Sequence, residues 1–186
     1  LLNANTTVYN DKELKAVTTY TYKVVALSEY NESEEVVTQI SALANLKFNE
    51  NLSDVSGNNT STQASGNISY NASSKKEGTH AIQFNGNSYL DLDRGNQFIH
   101  AEFEKRSIAF WINSSNATGT QDVFDEGGST NGIGIRFVNA DLQLTVQNQQ
   151  SIFSVQAPVT RNAWHHVVGI FDQGSLRLYI DGSLAA

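Results

Sequence analysis

The chain has 186 residues, of which 39% are apolar and 17% charged, and its formal net charge is −7. This length and balance are typical of a globular protein with one large or two small domains. The acidic charge argues against binding to nucleic acid or anionic membranes, no apolar run could span a bilayer, and the absence of cysteine excludes disulfides and thiolate metal sites.

The first part of the chain contains three segments with strand-like patterns, at residues 6–9, 18–27 and 35–40. The middle segment alternates, so that Tyr20 and Tyr22 share one face of a predicted strand. The spacing of Leu14, Tyr20, Tyr22 and Val24 resembles the F strand of a fibronectin type III domain, in which Tyr20 would be the tyrosine-corner residue. The resemblance implies that residues 1–43 are the C-terminal part of such an immunoglobulin-like β-sandwich, acting as a spacer.

The rest of the chain shows many short strand patterns separated by Gly, Asn and Asp. The polar stretch 56–76 predicts a loop with one short strand at 68–70. Further strands are predicted at 123–124, 134–138, 142–147 and 152–155. Closely spaced short strands favour an all-β sandwich.

A β-hairpin is predicted from Trp164 to Gly182, with strands at 164–171 and 175–180. Its sequences Trp-His-His-Val and Leu-Arg-Leu-Tyr-Ile-Asp-Gly resemble the hairpin of laminin-G-like, concanavalin A-like domains. Residues 46–48 and the Asp-x-Ser-Gly-Asn loop that begins at Asp54 resemble the opening strand and first loop of that family. In the same order, 80–90 resembles its next strand and hairpin, and 107–112 resembles a later strand. The resemblance implies an antiparallel jelly-roll β-sandwich over residues 44–186, truncated at its C-terminus because the family's closing strands would follow the Asp-Gly turn.

Catalytic residues are not predicted. Retaining glycanases of this fold use paired carboxylates from a Glu-x-Asp-x-Glu strand, which is absent. Asp122, Asp125 and Glu126 lie close together, but their spacing cannot place all three on one strand face. His165 and His166 are adjacent strand residues and point to opposite faces, so they cannot both coordinate one metal ion. We expect one to pack under the sheet edge and the other to face solvent.

Several aromatic and acidic residues could bind a ligand, but the sequence does not assign them to a site. Trp111 and Trp164 could stack on sugars, but their apolar context favours the core, and the loops offer Tyr70, Tyr89 and Phe98 instead. Calcium is the cofactor that the resemblance implies, and its oxygen donors would come from Asp54, Asp122, Asp125 and Asp141, none of which is assigned as a ligand. The Gly-rich stretch 127–132 predicts a hairpin turn, because it lacks the Lys and the following helix of a phosphate loop.

The family resemblance implies a non-catalytic binding or adhesion module of a large, modular, secreted or cell-surface bacterial protein. Such a module would recognise a glycan or a protein surface through its loops. Three alternatives stay open: an accessory module of a secreted polysaccharide-degrading enzyme, a purely structural stalk element, and a surface or motility protein held in an outer-membrane secretion assembly.

Overall fold

The computed structural model describes residues 20–24, 36–40, 42–92, 102–115, 118–128, 130–149 and 151–186. The chain divides into two compact units, Leu1–Arg94 and Gly95–Ala186. All the regular elements of the described residues are β-strands, and these residues contain no helix that is long and apolar enough to cross a membrane. The all-β prediction is therefore confirmed.

The described residues of the first unit form three separate antiparallel strand pairs. The strands are β1 (Tyr20–Val24), β2 (Val36–Ile40), β3 (Thr62–Ser65), β4 (Ile68–Asn71), β5 (Ala81–Phe84) and β6 (Tyr89–Leu92). Strand β1 pairs with β2, β3 with β6, and β4 with β5. Strands β1 and β2 fall on two of the predicted segments, whereas residues 6–9 lie outside the described residues. The fibronectin type III-like module and the boundary after residue 43 stay predictions.

Three expectations for this unit are wrong. The predicted hairpin at 80–90 does not form among the described residues, because β5 pairs with β4 and β6 pairs with β3. Strand β3 lies in the stretch expected to be a loop. The opening strand at 46–48 is reduced to one bridge between Leu46 and Asp54, since Phe48 and Glu50 have φ angles of 56° and 60°, in the left-handed region that a strand cannot contain.

The second unit is a sandwich of two four-stranded antiparallel sheets. Its strands are β7 (Lys105–Asn113), β8 (Thr120–Gly127), β9 (Gly132–Val138), β10 (Asp141–Asn148), β11 (Ser151–Pro158), β12 (Trp164–Asp172), β13 (Ser175–Ile180) and β14 (Ser183–Leu184). One sheet has the order β11-β10-β9-β8 and the other the order β14-β13-β12-β7. Each strand that was predicted in this part of the chain is present.

The core lies between these two sheets. Strands β9 and β10 alternate between buried and half-buried residues, and the buried set of the unit is Ile133, Ile135, Phe137, Leu142, Leu144, Val146, Ala157, Val167 and Leu178. The sheets approach closely at Gly169, where an added Cβ would lie 3.0 Å from Ile135 Cδ1 and 3.1 Å from Leu144 Cδ1. The absence of a side chain at Gly169 therefore sets the local spacing of the sandwich.

The predicted hairpin is confirmed as β12 and β13. Its two-residue turn, Gln173-Gly174, has φ angles of 47° and 90°, and the next turn, Asp181-Gly182, has φ angles of 53° and 81°. Positive φ at both central residues is the type I′ geometry, whose twist matches that of the flanking strands. Both turns lie at the turn residues from which the hairpin was predicted.

Candidate ligand-binding face

The outer face of the β8–β11 sheet carries polar residues because β9 and β10 turn their apolar side chains to the core and the residues between them to the opposite face. In β9 the buried residues Ile133 and Ile135 face the core, so Gly134 and Arg136 lie on the opposite face. In β10 the same rule places Gln143 and Thr145 outside. Register pairing then aligns these residues across the strands, with Gly134 opposite Thr145 and Arg136 opposite Gln143.

A β-bulge in β8 decides which acidic residues reach this face. Asp122 is paired with Arg136 and Asp125 with Gly134, because the register shifts by one residue between Asp122 and Phe124. The two aspartates therefore share the outer face. Glu126 points inward and is 9% exposed. The prediction that the three acidic residues cannot share one face is confirmed, and the bulge selects the pair that does.

These outer residues surround an open depression of about 220 Å³. Its lining comes from β8, β9, β10 and the β8–β9 turn: Asp122, Phe124, Asp125, Gly128, Gly132, Ile133, Gly134, Ile135, Arg136, Thr145 and Gln147. The aligned register brings polar groups from three strands to one concavity. Few sites on a protein combine concavity with several converging polar groups, so this depression is the candidate site.

A chain of hydrogen bonds orders the polar side chains beside the depression. The Nε of Arg136 donates to Gln143 Oε1 at 3.2 Å, and Thr145 Oγ1 donates to the same oxygen at 3.3 Å. Gln143 Nε2 donates to Gln156 Oε1, and Gln156 Nε2 donates to Asp141 Oδ2, each at 3.3 Å. The contacts run from β9 to β11 and restrict the rotamers of the side chains that a ligand would meet.

Three polar groups in the depression keep hydrogen-bonding capacity. Within the described part of the chain, the carboxylates of Asp122 and Asp125 have no hydrogen-bond or ion-pair partner, and Arg136 uses only its Nε. The carboxylates can accept hydrogen bonds, and the terminal nitrogens of Arg136 can donate them. This set of acceptors and donors suits a ligand that carries hydroxyl groups.

The floor of the depression is open because two glycines lie on β9. A Cβ at Gly134 would meet Phe124 O at 3.4 Å and Asp125 Oδ1 at 3.7 Å, which are ordinary contacts. A Cβ at Gly132 would instead collide with the carbonyl oxygen of Glu126. Gly134 is thus the floor position where a side chain can be added to fill the depression without displacing backbone.

The carboxylate of Asp54, one of the predicted calcium donors, has a structural role. Its Oδ1 accepts hydrogen bonds from the N–H groups of Asn45 and Ser56 at 2.8 and 2.9 Å, and its Oδ2 accepts from Ser56 Oγ and Thr60 N at 2.8 and 2.9 Å. Burial alone would raise the pKa of Asp54, but these four donors hold it well below its usual value. The Asp-x-Ser-Gly-Asn motif therefore builds a loop around a carboxylate.

Two of the predicted calcium donors, Asp54 and Asp141, already accept hydrogen bonds. Among the described residues, no group of three or more His, Cys, Asp or Glu side chains converges. Both oxygens of Asp54 are occupied by donors, and Asp141 accepts from Gln156. Calcium binding stays a prediction.

The two histidines lie on opposite faces of β12, as predicted. The ring of His165 lies between two groups, with Nδ1 2.8 Å from Asp181 Oδ2 and Nε2 2.9 Å from Thr160 Oγ1, and its side chain is 14% exposed. The ring of His166 is half-buried, not solvent-exposed as expected, and lies 5.0 Å from that of Trp111. His165 therefore fastens the Asp181-Gly182 turn to the β11–β12 loop.

The aromatic residues are placed differently from the expectation. Neither Trp111 nor Trp164 belongs to the buried core. Their neighbours Phe110 and His165 face inward, so the two tryptophans lie on the opposite face of their strands, where both are half-buried. Of the predicted loop aromatics, Tyr70 is half-buried in β4, Tyr89 is 60% exposed in β6, and Phe98 lies outside the described residues. Neither Tyr70 nor Tyr89 lines the depression.

The residues that order the depression were missed by sequence analysis. Arg136, Gln143, Thr145 and Gln156 carry no motif. The signal that could have identified them is the strict alternation of Gly-Ile-Gly-Ile-Arg-Phe and Leu-Gln-Leu-Thr-Val-Gln, which predicts one polar face shared by β9 and β10.

The Gly-rich stretch 127–132 forms the β8–β9 hairpin turn, closed by a hydrogen bond from Gly128 N to Asn131 O, as predicted.

Comparison with known proteins agrees with this architecture. The profile of a laminin G family, Laminin_G_3, described as the concanavalin A-like lectin/glucanases superfamily, matches residues 84–186, more than half of the chain. No curated protein matches by sequence. The laminin-G-like resemblance of the sequence is therefore confirmed.

Solved structures with the same fold include receptor-binding domains of botulinum neurotoxins. That of the C/D mosaic serotype has a TM-score of 0.63 at 20% identity, covering 77% of this chain and 37% of its own. That of neurotoxin type C, whose cell entry depends on two ganglioside molecules, has a TM-score of 0.58 at 20% identity, covering 79% and 37%. The DC binding domain, solved with rat synaptotagmin II, has a TM-score of 0.58 at 22% identity, covering 79% and 38%. The present chain thus spans less than two fifths of those structures.

Proposed function

We propose that this chain, which belongs to the concanavalin A-like lectin/glucanases superfamily, is a non-catalytic module that binds a glycan in the depression on the outer face of the β8–β11 sheet. The observation that supports this most directly is the convergence there of unengaged carboxylates, Asp122 and Asp125, with the terminal nitrogens of Arg136. Sugar hydroxyls both donate and accept hydrogen bonds, so one ring can satisfy both kinds of group.

Pre-ordering of the polar groups favours binding. Gln143 receives hydrogen bonds from Arg136 and Thr145, so the position of the guanidinium is set before a ligand arrives. Ordering a long side chain on binding would otherwise cost about 0.5–1.5 kcal/mol. The depression is also open, which suits an extended saccharide chain that passes across the sheet.

Binding without hydrolysis is supported by the placement of the acidic residues. Glu126 faces the core and forms a salt bridge with Arg106, so it cannot reach a ligand in the depression. Asp122 and Asp125 are both exposed and lack the apolar enclosure that surrounds the general acid of a glycosidase. We expect no release of reducing ends from any polysaccharide that the protein binds, and measurable release would overturn the non-catalytic assignment.

The proposal is tested by filling the depression. Glycan binding is measured by array and calorimetry for the wild-type chain and for Gly134→Leu, with Ala109→Leu as a matched control, because Ala109 is exposed on β7 of the other sheet. We expect Gly134→Leu to abolish binding with an unchanged melting temperature and the control to bind normally. Binding that survives Gly134→Leu, or wild type that binds no glycan, would overturn the proposal.

A protein ligand is the second candidate. Ile152 and Phe153 on the edge strand β11 are 65% and 56% exposed, and they offer an apolar side chain on each side of this edge. The test uses purified extracellular-matrix glycoproteins before and after enzymatic deglycosylation. Binding that survives deglycosylation, is lost in Ile152→Ser/Phe153→Ser and is retained in Gly134→Leu would favour this candidate over the first.

The biological setting that we propose is the surface of a bacterium or its secretions. A glycan-binding module there would serve adhesion, or would hold a secreted polysaccharide-degrading enzyme on its substrate. The structural neighbours are binding domains of toxins that recognise gangliosides or a protein, which is compatible with an extracellular role. The sequence of the complete polypeptide distinguishes adhesin from accessory module, according to whether it contains a catalytic domain.

A further inference from the structure

The charged residues of the proposed binding face are unbalanced. The outward-facing positions of β8 to β11 carry three carboxylates, from Asp122, Asp125 and Asp141, and one guanidinium, from Arg136. The described face thus has a formal charge of −2. The whole chain is also acidic, with a net charge of −7. An approaching anion is therefore repelled both at a distance and at contact.

We infer that the depression selects glycans without acidic groups and excludes sialylated, uronate and sulfated ones, an inference that rests on the proposed function. The chemistry of hydrogen bonding leads to the same conclusion as the charge. Asp122 and Asp125 are acceptor-only groups, and a carboxylate or sulfate on the ligand is also acceptor-only, so the two cannot form a hydrogen bond. A sugar hydroxyl donates to either carboxylate.

Arg136 is the one group on this face that could attract an acidic sugar, and its surroundings oppose that role. Asp122 lies directly opposite Arg136 in the β8–β9 register, so an anion placed on the guanidinium would lie beside that carboxylate. The Nε of Arg136 is already committed to Gln143, which rules out a paired contact that uses Nε. The terminal nitrogens of Arg136 remain free to donate, but any anion that they bind has to approach the carboxylate of Asp122.

The test compares each glycan core in its neutral form with the same core bearing sialic acid, uronate or sulfate. The wild-type chain is measured beside Asp122→Asn/Asp125→Asn, which changes the formal charge of the face from −2 to 0. The matched control is Glu102→Gln/Glu104→Gln, which removes the same charge from exposed positions that precede β7. Equal melting temperatures establish that all three proteins are folded.

We expect the wild type and the control to bind neutral cores only. The Asp122→Asn/Asp125→Asn variant should gain roughly tenfold in affinity for the acidic forms, because two like charges near the ligand are removed. The ratio between the wild-type affinities for the neutral and the acidic forms should become smaller when sodium chloride is raised from about 0.05 M to about 0.5 M, since salt screens exposed charges.

Two results would overturn the inference and are distinguishable from each other. Acidic glycans that bind the wild type as tightly as their neutral cores, with binding abolished by Gly134→Leu, would overturn the selectivity and leave the proposed function intact. Absence of binding to every glycan would remove the proposed function and the inference with it.

Discussion

Arg106 on β7 and Glu126 on β8 form a salt bridge of 2.7 Å between the edge strands of the two sheets, with side chains only 9% and 8% exposed. The guanidinium carbon of Arg106 also lies 4.5 Å from the ring centroid of Phe103. The pair fixes the spacing of the two sheets along one side of the sandwich. It also turns Glu126 away from the binding face.

Breaking this pair should destabilise the protein. Glu126→Gln removes the buried countercharge of Arg106, and we expect a loss of about 3 kcal/mol in the free energy of unfolding. Arg106→Met/Glu126→Leu removes both charges and should recover most of that loss. Urea denaturation followed by fluorescence measures both variants. Equal destabilisation of the single and the double variant would contradict the assignment of a buried charge pair.

Adding a methyl group at Gly169 should also destabilise the sandwich. The new Cβ would crowd Ile135 and Leu144, and we expect Gly169→Ala to cost about 1–2 kcal/mol. Gly134→Ala is the matched control, because it is the same change in a strand with only ordinary contacts, and it should be neutral or slightly stabilising. Thermal unfolding compares the two. Similar melting temperatures would mean that the sheets separate easily at Gly169.

The Asp54 loop should lose its order at low pH. The lowered pKa of Asp54 means that its ionised form stabilises the folded loop above the ordinary value of 3.8, and this stabilisation is lost as the pH falls through the lower folded value. Asp54→Asn places an amide NH₂ against N–H or O–H donors and should cost about 2 kcal/mol at neutral pH. Hydrogen exchange of residues 42–60 measures the local effect. Equal protection in the variant and the wild type would contradict the role assigned to this carboxylate.

The contact between His165 and Asp181 gives a second acid-sensitive site. The hydrogen bond with His165, followed by that from the N–H of His166, lowers the pKa of Asp181. The contribution of Asp181 to stability is therefore present above pH 3.8 and lost as the pH falls below it. We expect Asp181→Asn to cost about 1 kcal/mol at pH 7, since the group is half exposed, and to reduce the loss of stability on acidification. Melting curves between pH 3 and pH 7 that are parallel for the two proteins would contradict this.

Calcium binding can be tested directly. If calcium binds as the family resemblance implies, the melting temperature in calcium should exceed that in chelator, because a ligand that binds only the folded state stabilises it. A calcium-dependent rise would require ligands from residues or backbone groups outside the sets considered above. Asp122→Asn/Asp125→Asn would then show whether the depression contributes to that site.

The sequence predicted the strands of the sandwich well, and the site poorly. Strands β7 to β13 follow from alternation and from turn residues such as Gln173-Gly174, which are local properties of the chain. Strand β3 was missed because Thr62-Gln-Ala-Ser is polar, although backbone pairing with β6 does not require apolar side chains. Trp111 was expected in the core because its neighbours are apolar, and the alternation that turns Phe110 inward turns Trp111 outward.

By itself, the sequence determined the all-β class, the strands β7 to β13 and the membership of the laminin-G-like family, because these depend on residue periods and turn chemistry within short windows. Only the tertiary structure decided which residues meet. The bulge at Val123 brings Asp122 and Asp125 to one face, and the pairing of β8, β9 and β10 aligns them with Arg136 and Thr145. Both depend on register between strands, and a shift of one residue exchanges the two faces of a strand.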